Sequence, residues 1–357
     1  MQFIPVLEYL QMAGRAGRPK YDKIGEAICI ATSEKQKEEI LEMYIKGKPE
    51  KIFSKLSAEP VLRTYVLSLI STGLVNSKKQ LFEFFSKTFF AHQYGDIQKM
   101  ESLLLKVVDL LKNWNFINVE ENSNSMFQSA DSLNEENKYV ATLLGKRISE
   151  LYLDPYTANK LIEGLQKEQE KNDFSYLHLI SNTLEMMPLL SIRKSDYEKL
   201  EEKLSLNEDY ILDTDLFFDD HYYLLSTIKT AFFFEQWINE MTEDRIFEKF
   251  NVRPGEIKFK IDVADWLLFS CYELSKVLML KSNLNVLTKL RLRLKYGVKE
   301  ELMSLVKIEL IGKVRARKLF DSGIKNIKDL KNIGLETLKS IVGEKTAINI
   351  KKKIQMG

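Results

Sequence analysis

The sequence predicts a mainly α-helical chain of several small domains, with an α/β fragment at its start. Three observations carry that prediction. Apolar residues recur at helical spacing through nearly all of residues 146–300, only three short segments (25–32, 114–119 and 139–142) read as strands, and 357 residues are more than one core usually fills. The composition, 45% hydrophobic and 29% charged, is that of an ordinary globular protein. No apolar run reaches the roughly 18 residues needed to span a membrane. The opening MQFIPVLEYL has neither a basic region nor a small-residue cleavage site, so no signal peptide is read and a cytoplasmic protein is expected. Two distant cysteines in apolar surroundings (Cys29, Cys271) and three scattered histidines (His92, His178, His221) offer no disulfide framework or metal-ligand spacing.

In chain order, residues 1–46 form the first predicted unit. A short extended stretch leads into a helix carrying Gln11-Met12-Ala13-Gly14-Arg15-Ala16-Gly17-Arg18-Pro19, and a buried strand follows over 25–32. Helix then strand is one piece of a RecA-like α/β sheet. A lone strand has no partner for its backbone groups, so the rest of that domain is expected outside this sequence. Arg15 and Arg18, three apart, would share one side of the helix. Beside small residues, two guanidinium forks suit a phosphate chain; a helix-packing site with solvated arginines is the plainer reading.

Residues 47–145 start at a Gly47-Lys48-Pro49 linker. Three helices are predicted: one through Leu62, Val66, Leu69 and Ile70, one from Asn76 or Ser77, and one from Gly95 or Asp96. A hairpin from the segments at 114–119 and 139–142 would complete a winged helix. The aromatics Phe82, Phe84, Phe85, Phe89 and Phe90 read as core rather than as a base-stacking face.

Residues 146–303 read as helices, with starts near Asp154-Pro155, Asp173, Ser195, Asp219, Thr242 and Pro254. The acidic stretch Asp213–Asp220 has no calcium-loop glycine and reads as a solvated loop or helix start. Within the helix at 256–281, Ile257, Ile261, Ala264 (or Asp265), Leu268 and Tyr272 line one face. Phe259 and Trp266, seven apart, lie together on another, with Lys258 and Lys260 flanking Phe259. Two readings stand: both rings in the core, or rings that stack bases while the lysines meet phosphates.

The charge is uneven: residues 281–357 hold 19 Lys and Arg against 7 Asp and Glu, a net of +12, which leaves −10 for residues 1–280. A basic end on an acidic body points to a polyanion. Residues 304–357 contain two helix-hairpin-helix-like units, around Gly312 and around Gly334 and Gly343. Glycine turns let backbone N–H groups approach a phosphate, and Lys313, Arg315 and Arg317 add charge.

The string from Gln11 to Pro19 resembles motif VI of superfamily 2 helicases. Together with Ile4–Tyr9, Lys20-Tyr21-Asp22, Leu151-Tyr152-Leu153-Asp154-Pro155, Lys229-Thr230-Ala231, Trp237-Ile238, Gly297–Leu302 and Val314-Arg315-Ala316-Arg317, it resembles the archaeal Hjm-type, Ski-two-like DNA helicases related to the helicase part of DNA polymerase theta. The resemblance implies a 3′→5′ ATP-dependent helicase acting on forked or branched DNA in fork repair and recombination. Its expected domains are the end of a second RecA-like domain, a winged helix, a helical ratchet domain and a helix-hairpin-helix-like domain. It implies that Gln11, Arg15 and Arg18 meet nucleotide, with Arg18 as the finger on the γ-phosphate, and that Trp266 stacks a base. Phe259 and Leu310 depart from the pattern, standing where a basic and a small residue are expected.

No G-x-x-x-x-G-K-[ST] string and no Asp-Glu-x-His box occur in the sequence. ATP and Mg²⁺ are therefore expected in a complete enzyme that includes a further N-terminal RecA-like domain, and none by this chain alone. The expected partner is single-stranded or forked DNA, met by a monomer. The alternatives are a stand-alone, non-enzymatic DNA-binding module and part of a related RNA helicase.

Overall fold

Capping side chains mark most of the helix starts, as the sequence suggests. The computed structural model describes residues 3–18, 20–120, 137–212 and 220–356. Helix α1 (Val6–Ala13) starts where the Glu50 carboxylate accepts from the backbone N–H groups of Val6 (2.6 Å) and Leu7 (3.0 Å). Ser33 caps α2 (Glu34–Ile40), which runs on through a π-helical turn, Leu41–Ile45. Two expectations fail in this region. The segment at 25–32 is not a buried strand: Ile28 is 82% and Ile30 85% exposed, Cys29 is exposed, and no strand pairs with it among the described residues. An isolated extended segment satisfies its backbone groups only in water, and the described residues form no RecA-like sheet. The arginines also do not ride on the helix. α1 stops at Ala13, and Gly14 and Gly17, the latter at φ 82°, turn the chain before Arg18.

The next unit comprises α3 (Glu59–Ser71), α4 (Lys78–Ser86), α5 (Phe89–Tyr94), α6 (Ile97–Asn113) and a hairpin of β1 (Ile117–Glu120) and β2 (Lys138–Ala141), antiparallel with Ile117 opposite Ala141. Ser77 caps α4 and Asp96 caps α6. Short α5 is additional to the three expected helices. Of the aromatic group, Phe85 and Phe90 are core, Phe82 is partly buried, and Phe84 and Phe89 stay more than two-fifths exposed. The core reading therefore holds for the former and not for the last two.

The described residues of the body form helices joined by short segments: α7 (Leu143–Glu150), α8 (Pro155–Gln166), α9 (Asp173–Ser181), α10 (Tyr197–Ser205), α11 (His221–Ile238), α12 (Glu243–Phe250), α13 (Pro254–Val277) and α14 (Lys281–Tyr296). Asp154 caps α8, Thr242 caps α12 and Asp220 caps α11; the rest of the acidic stretch at 213–219 lies outside the described residues. Asp154 also ties this body to α3. Its carboxylate accepts from Arg63 Nε (3.2 Å) and Nη2 (2.9 Å) in a bidentate pair that is almost fully buried. One core runs from α3 to α14. No helix among the described residues is long and apolar enough to cross a membrane.

Gly297 ends α14 at φ 63° with the Trp237 ring against it, so close that a Cβ would lie 2.7 Å from the indole. Beyond it, α15 (Met303–Val306), α16 (Lys313–Asp321), α17 (Ile327–Asn332), α18 (Leu335–Val342) and α19 (Glu344–Met356) close over a second, smaller core that includes Leu302, Leu305, Ala316, Leu319, Leu330, Leu338 and Ile350.

Candidate nucleic-acid interface

Helix α13 is the longest described and is set from both ends. Pro254 occupies its first turn, and Glu256 Oε2 accepts from the Arg253 N–H at 2.8 Å. Ile257, Ile261, Ala264 and Leu268 are buried as their spacing requires, and Tyr272 is half-buried. The face carrying Phe259 and Trp266 is different. Phe259 is 57% exposed, and Lys258 beside it is exposed with its ammonium on Asp262 (2.6 Å). Trp266 is half-buried against the core, with its indole N–H donating to the Leu151 carbonyl at 3.0 Å. The ring thus packs against the core with part of its surface left open to solvent. Lys260, expected to flank Phe259 outside, turns inward instead. Its ammonium donates to the carbonyls of Pro188 (2.7 Å) and Met186 (3.3 Å), and burial pushes its pKa down. Arg291 braces the helix from α14, bidentate on Asp265 (2.9 and 3.1 Å) and 4.7 Å over the Phe269 ring.

The cations of α16 divide by helical period. Lys313 and Arg317, four apart, face the body. The Lys313 ammonium donates to the Met241 carbonyl (2.8 Å) and lies 4.7 Å over the Trp237 ring, with its pKa lowered by burial. Arg317 donates to Glu240 Oε2 (2.8 Å) and Oε1 (2.6 Å) and to Glu301 (2.7 Å). Burial raises the Glu240 carboxyl, but Arg317 and the Lys299 N–H and charge together hold it below its usual range. Arg315 and Lys318, three apart, are both exposed. They line a cleft of about 780 Å³ together with Gly312, Gly343, Lys339 and Trp237, and the body-bound Lys313 borders the same cleft. Gly312 begins α16, so the N–H groups of its first turn open at this cleft. Lys318 was absent from the sequence-based set, although its three-residue spacing from Arg315 would have found it.

Gln11, Arg15 and Arg18 are all exposed at the other end of the chain. Arg15 and Arg18 lie in the turn after α1, and Asp22 Oδ2 accepts from both the Arg18 N–H (2.8 Å) and its Nε (3.2 Å). The turn offers cations but no loop that wraps a phosphate chain.

Three family models match the chain: "Helix-turn-helix domain" over residues 25–118, "Archaeal helicase, domain 4" over 174–297, and "SAM-like Helix-hairpin-helix tandem" over 302–356. Proteins named ATP-dependent DNA helicase Hel308 align with nearly all of it. The Pyrococcus horikoshii protein is 39% identical over 93% of the chain, that of Pyrococcus abyssi 37% over 96%, and that of Methanocaldococcus jannaschii 36% over 98%. The chain is homologous to the C-terminal portion of the Hel308 helicases. It spans 44%, 46% and 27% of those three proteins. The archaeal helicase domain 4 match contains α13 with Phe259 and Trp266, and the hairpin match contains α16 with Arg315 and Lys318. Both surface features thus lie in segments shared with Hel308.

Proposed function

We propose that the chain is the strand-gripping C-terminal part of an ATP-dependent DNA helicase that moves 3′→5′ and unwinds forked or branched DNA during fork repair and recombination. The observation that carries this reading is the pair of rings on α13, Phe259 exposed and Trp266 half-buried and hydrogen-bonded to Leu151, seven residues apart on one side of the helix. Aromatic faces stack bases whatever the sequence, and cations beside them track the backbone. In this reading Phe259 and Trp266 meet bases and Lys258 meets a phosphate. Arg315 and Lys318 meet the backbone at the cleft beside Gly312, while Lys313 and Arg317 hold the tail against the body so that the two contacts move together.

Gln11, Arg15 and Arg18 are assigned to the ATP site, with Arg18 as the finger. ATP with Mg²⁺ would supply the energy of movement. The residues present fit only the arginine half of such a site, because the 357 residues hold no phosphate loop and no Mg²⁺-binding box; no step of ATP hydrolysis is derived from them.

Anisotropy titrations with labelled single-stranded DNA, forked DNA and RNA of equal length test the proposal. DNA is expected to bind more tightly than RNA, as a monomeric complex whose affinity falls steeply with salt. DNA-stimulated ATP turnover by these 357 residues alone, or a preference for RNA, would overturn it.

A further inference from the structure

Tyr152 is the residue after the carbonyl that holds the Trp266 indole. Its side chain is 82% exposed, between Leu151 and Leu153 at 6% and 1%. It makes no hydrogen bond, ion pair or ring contact among the described residues. Its backbone sits at φ 56°, in the left-handed region that L side chains avoid. The hydrogen bonds from Tyr152 N–H to the Ser149 carbonyl (3.1 Å) and from Leu153 N–H to the Ile148 carbonyl (3.3 Å) show why. This is the turn that ends α7, at the position glycine fills best. A large ring here adds strain and contributes nothing to packing. Backbone strain on an unpacked aromatic is the pattern of a residue kept for contact with something outside the fold.

We propose that Tyr152 is a further base-stacking residue, which acts beside Trp266 on the same single strand. The inference rests on the DNA-gripping reading of α13 and extends it to the α7–α8 turn. The Trp266–Leu151 hydrogen bond sets the indole against the backbone of the residue before Tyr152, so in this proposal a strand that reaches the indole also meets the turn that carries Tyr152. The ring is the working part, since the hydroxyl has no partner to orient it.

The test compares the 357-residue chain with Tyr152→Gly and Tyr152→Phe in binding a labelled single-stranded oligothymidylate, with thermal unfolding of each run in parallel. Tyr152→Gly is expected to bind about tenfold more weakly, from the usual worth of one stacked base, while its unfolding midpoint is equal or higher because glycine suits the turn. Tyr152→Phe should bind like the unchanged chain. Binding by Tyr152→Gly at the unchanged affinity overturns the inference and leaves the DNA reading standing. A lower midpoint for Tyr152→Gly overturns it as well, since the ring would then serve the fold. Absence of binding by the unchanged chain refutes the underlying reading instead.

Discussion

Arg317 is one of the side chains that join the tail to the body, and its worth can be worked out. Arg317 makes three hydrogen bonds of 2.6–2.8 Å to Glu240 and Glu301 and a longer one of 3.4 Å to Asp321. The Arg317 side chain is 28% and that of Glu240 13% exposed. Truncating one partner of a buried pair costs about 3–5 kcal/mol and of an exposed pair about 0–1 kcal/mol. A bidentate pair at this intermediate exposure puts Arg317→Ala near 2 kcal/mol, discounted for solvent. A double-mutant cycle with Glu240→Ala isolates the pair, and denaturant unfolding of the four proteins should return a coupling of about 1.5 kcal/mol. The same proteins are titrated with single-stranded DNA. Arg315→Ala is expected to weaken binding and flatten its salt dependence, whereas Arg317→Ala should change the salt slope little. A coupling under about 0.5 kcal/mol, combined with a salt slope lost as fully in Arg317→Ala as in Arg315→Ala, would refute this division of labour. The pair also has a pH signature. Because the folded Glu240 pKa is depressed, its contribution is fully present above the usual glutamate value of 4.5 and is lost as pH falls through the folded value.

Three further outcomes are expected. His178, fully buried with its Nε2 3.1 Å from Thr227 Oγ1, has its pKa lowered to about 4 by burial, with Lys160 adding to the shift. Stability should therefore fall by about 3 kcal/mol as pH drops from 6.5 to 4, and His178→Gln should remove most of that slope in pH-dependent unfolding. Trp266→Phe, which keeps a ring but loses the 3.0 Å bond to Leu151, should cost about 1 kcal/mol of stability and retain most DNA affinity, whereas Trp266→Ala loses both; calorimetry beside anisotropy separates them. Leu310 is held at φ 75°, so Leu310→Gly should raise stability by up to about 1 kcal/mol, read from the denaturation midpoint.

What the sequence disclosed depended on how local the cause was. Many helix starts were legible because a single capping side chain decides them: Asp154 and Thr242 cap as read, and Ser77 and Asp96 resolve the pairs left open, whereas α10 begins at Tyr197 with no capping side chain, past the expected Ser195. The inner face of α13 was legible because burial follows the helical period. The segment at 25–32 was misread because its composition is that of a buried strand while burial depends on neighbours that composition does not reveal. Lys260 failed for a related reason: a lysine stem can carry its charge to two buried carbonyls that no local pattern announces.

The cations of α16 show how far such reading can be pushed. Lys313, Arg315 and Arg317 formed one basic patch in the sequence, yet a helix cannot turn residues two apart to the same side. Period alone separates Arg315 from Lys313 and Arg317 and adds Lys318 to it. Which face meets the body needed the fold, since the deciding partners are Glu240 and the Met241 carbonyl, more than seventy residues earlier. Glu240 itself stands at φ 70° in the turn before α12. Glu240, at this positive φ, holds the tail's Arg317 through two hydrogen bonds. Under the proposed function, this ion pair and the Lys313–Met241 hydrogen bond tie the helix of Arg315 and Lys318 to the body that carries the rings of α13.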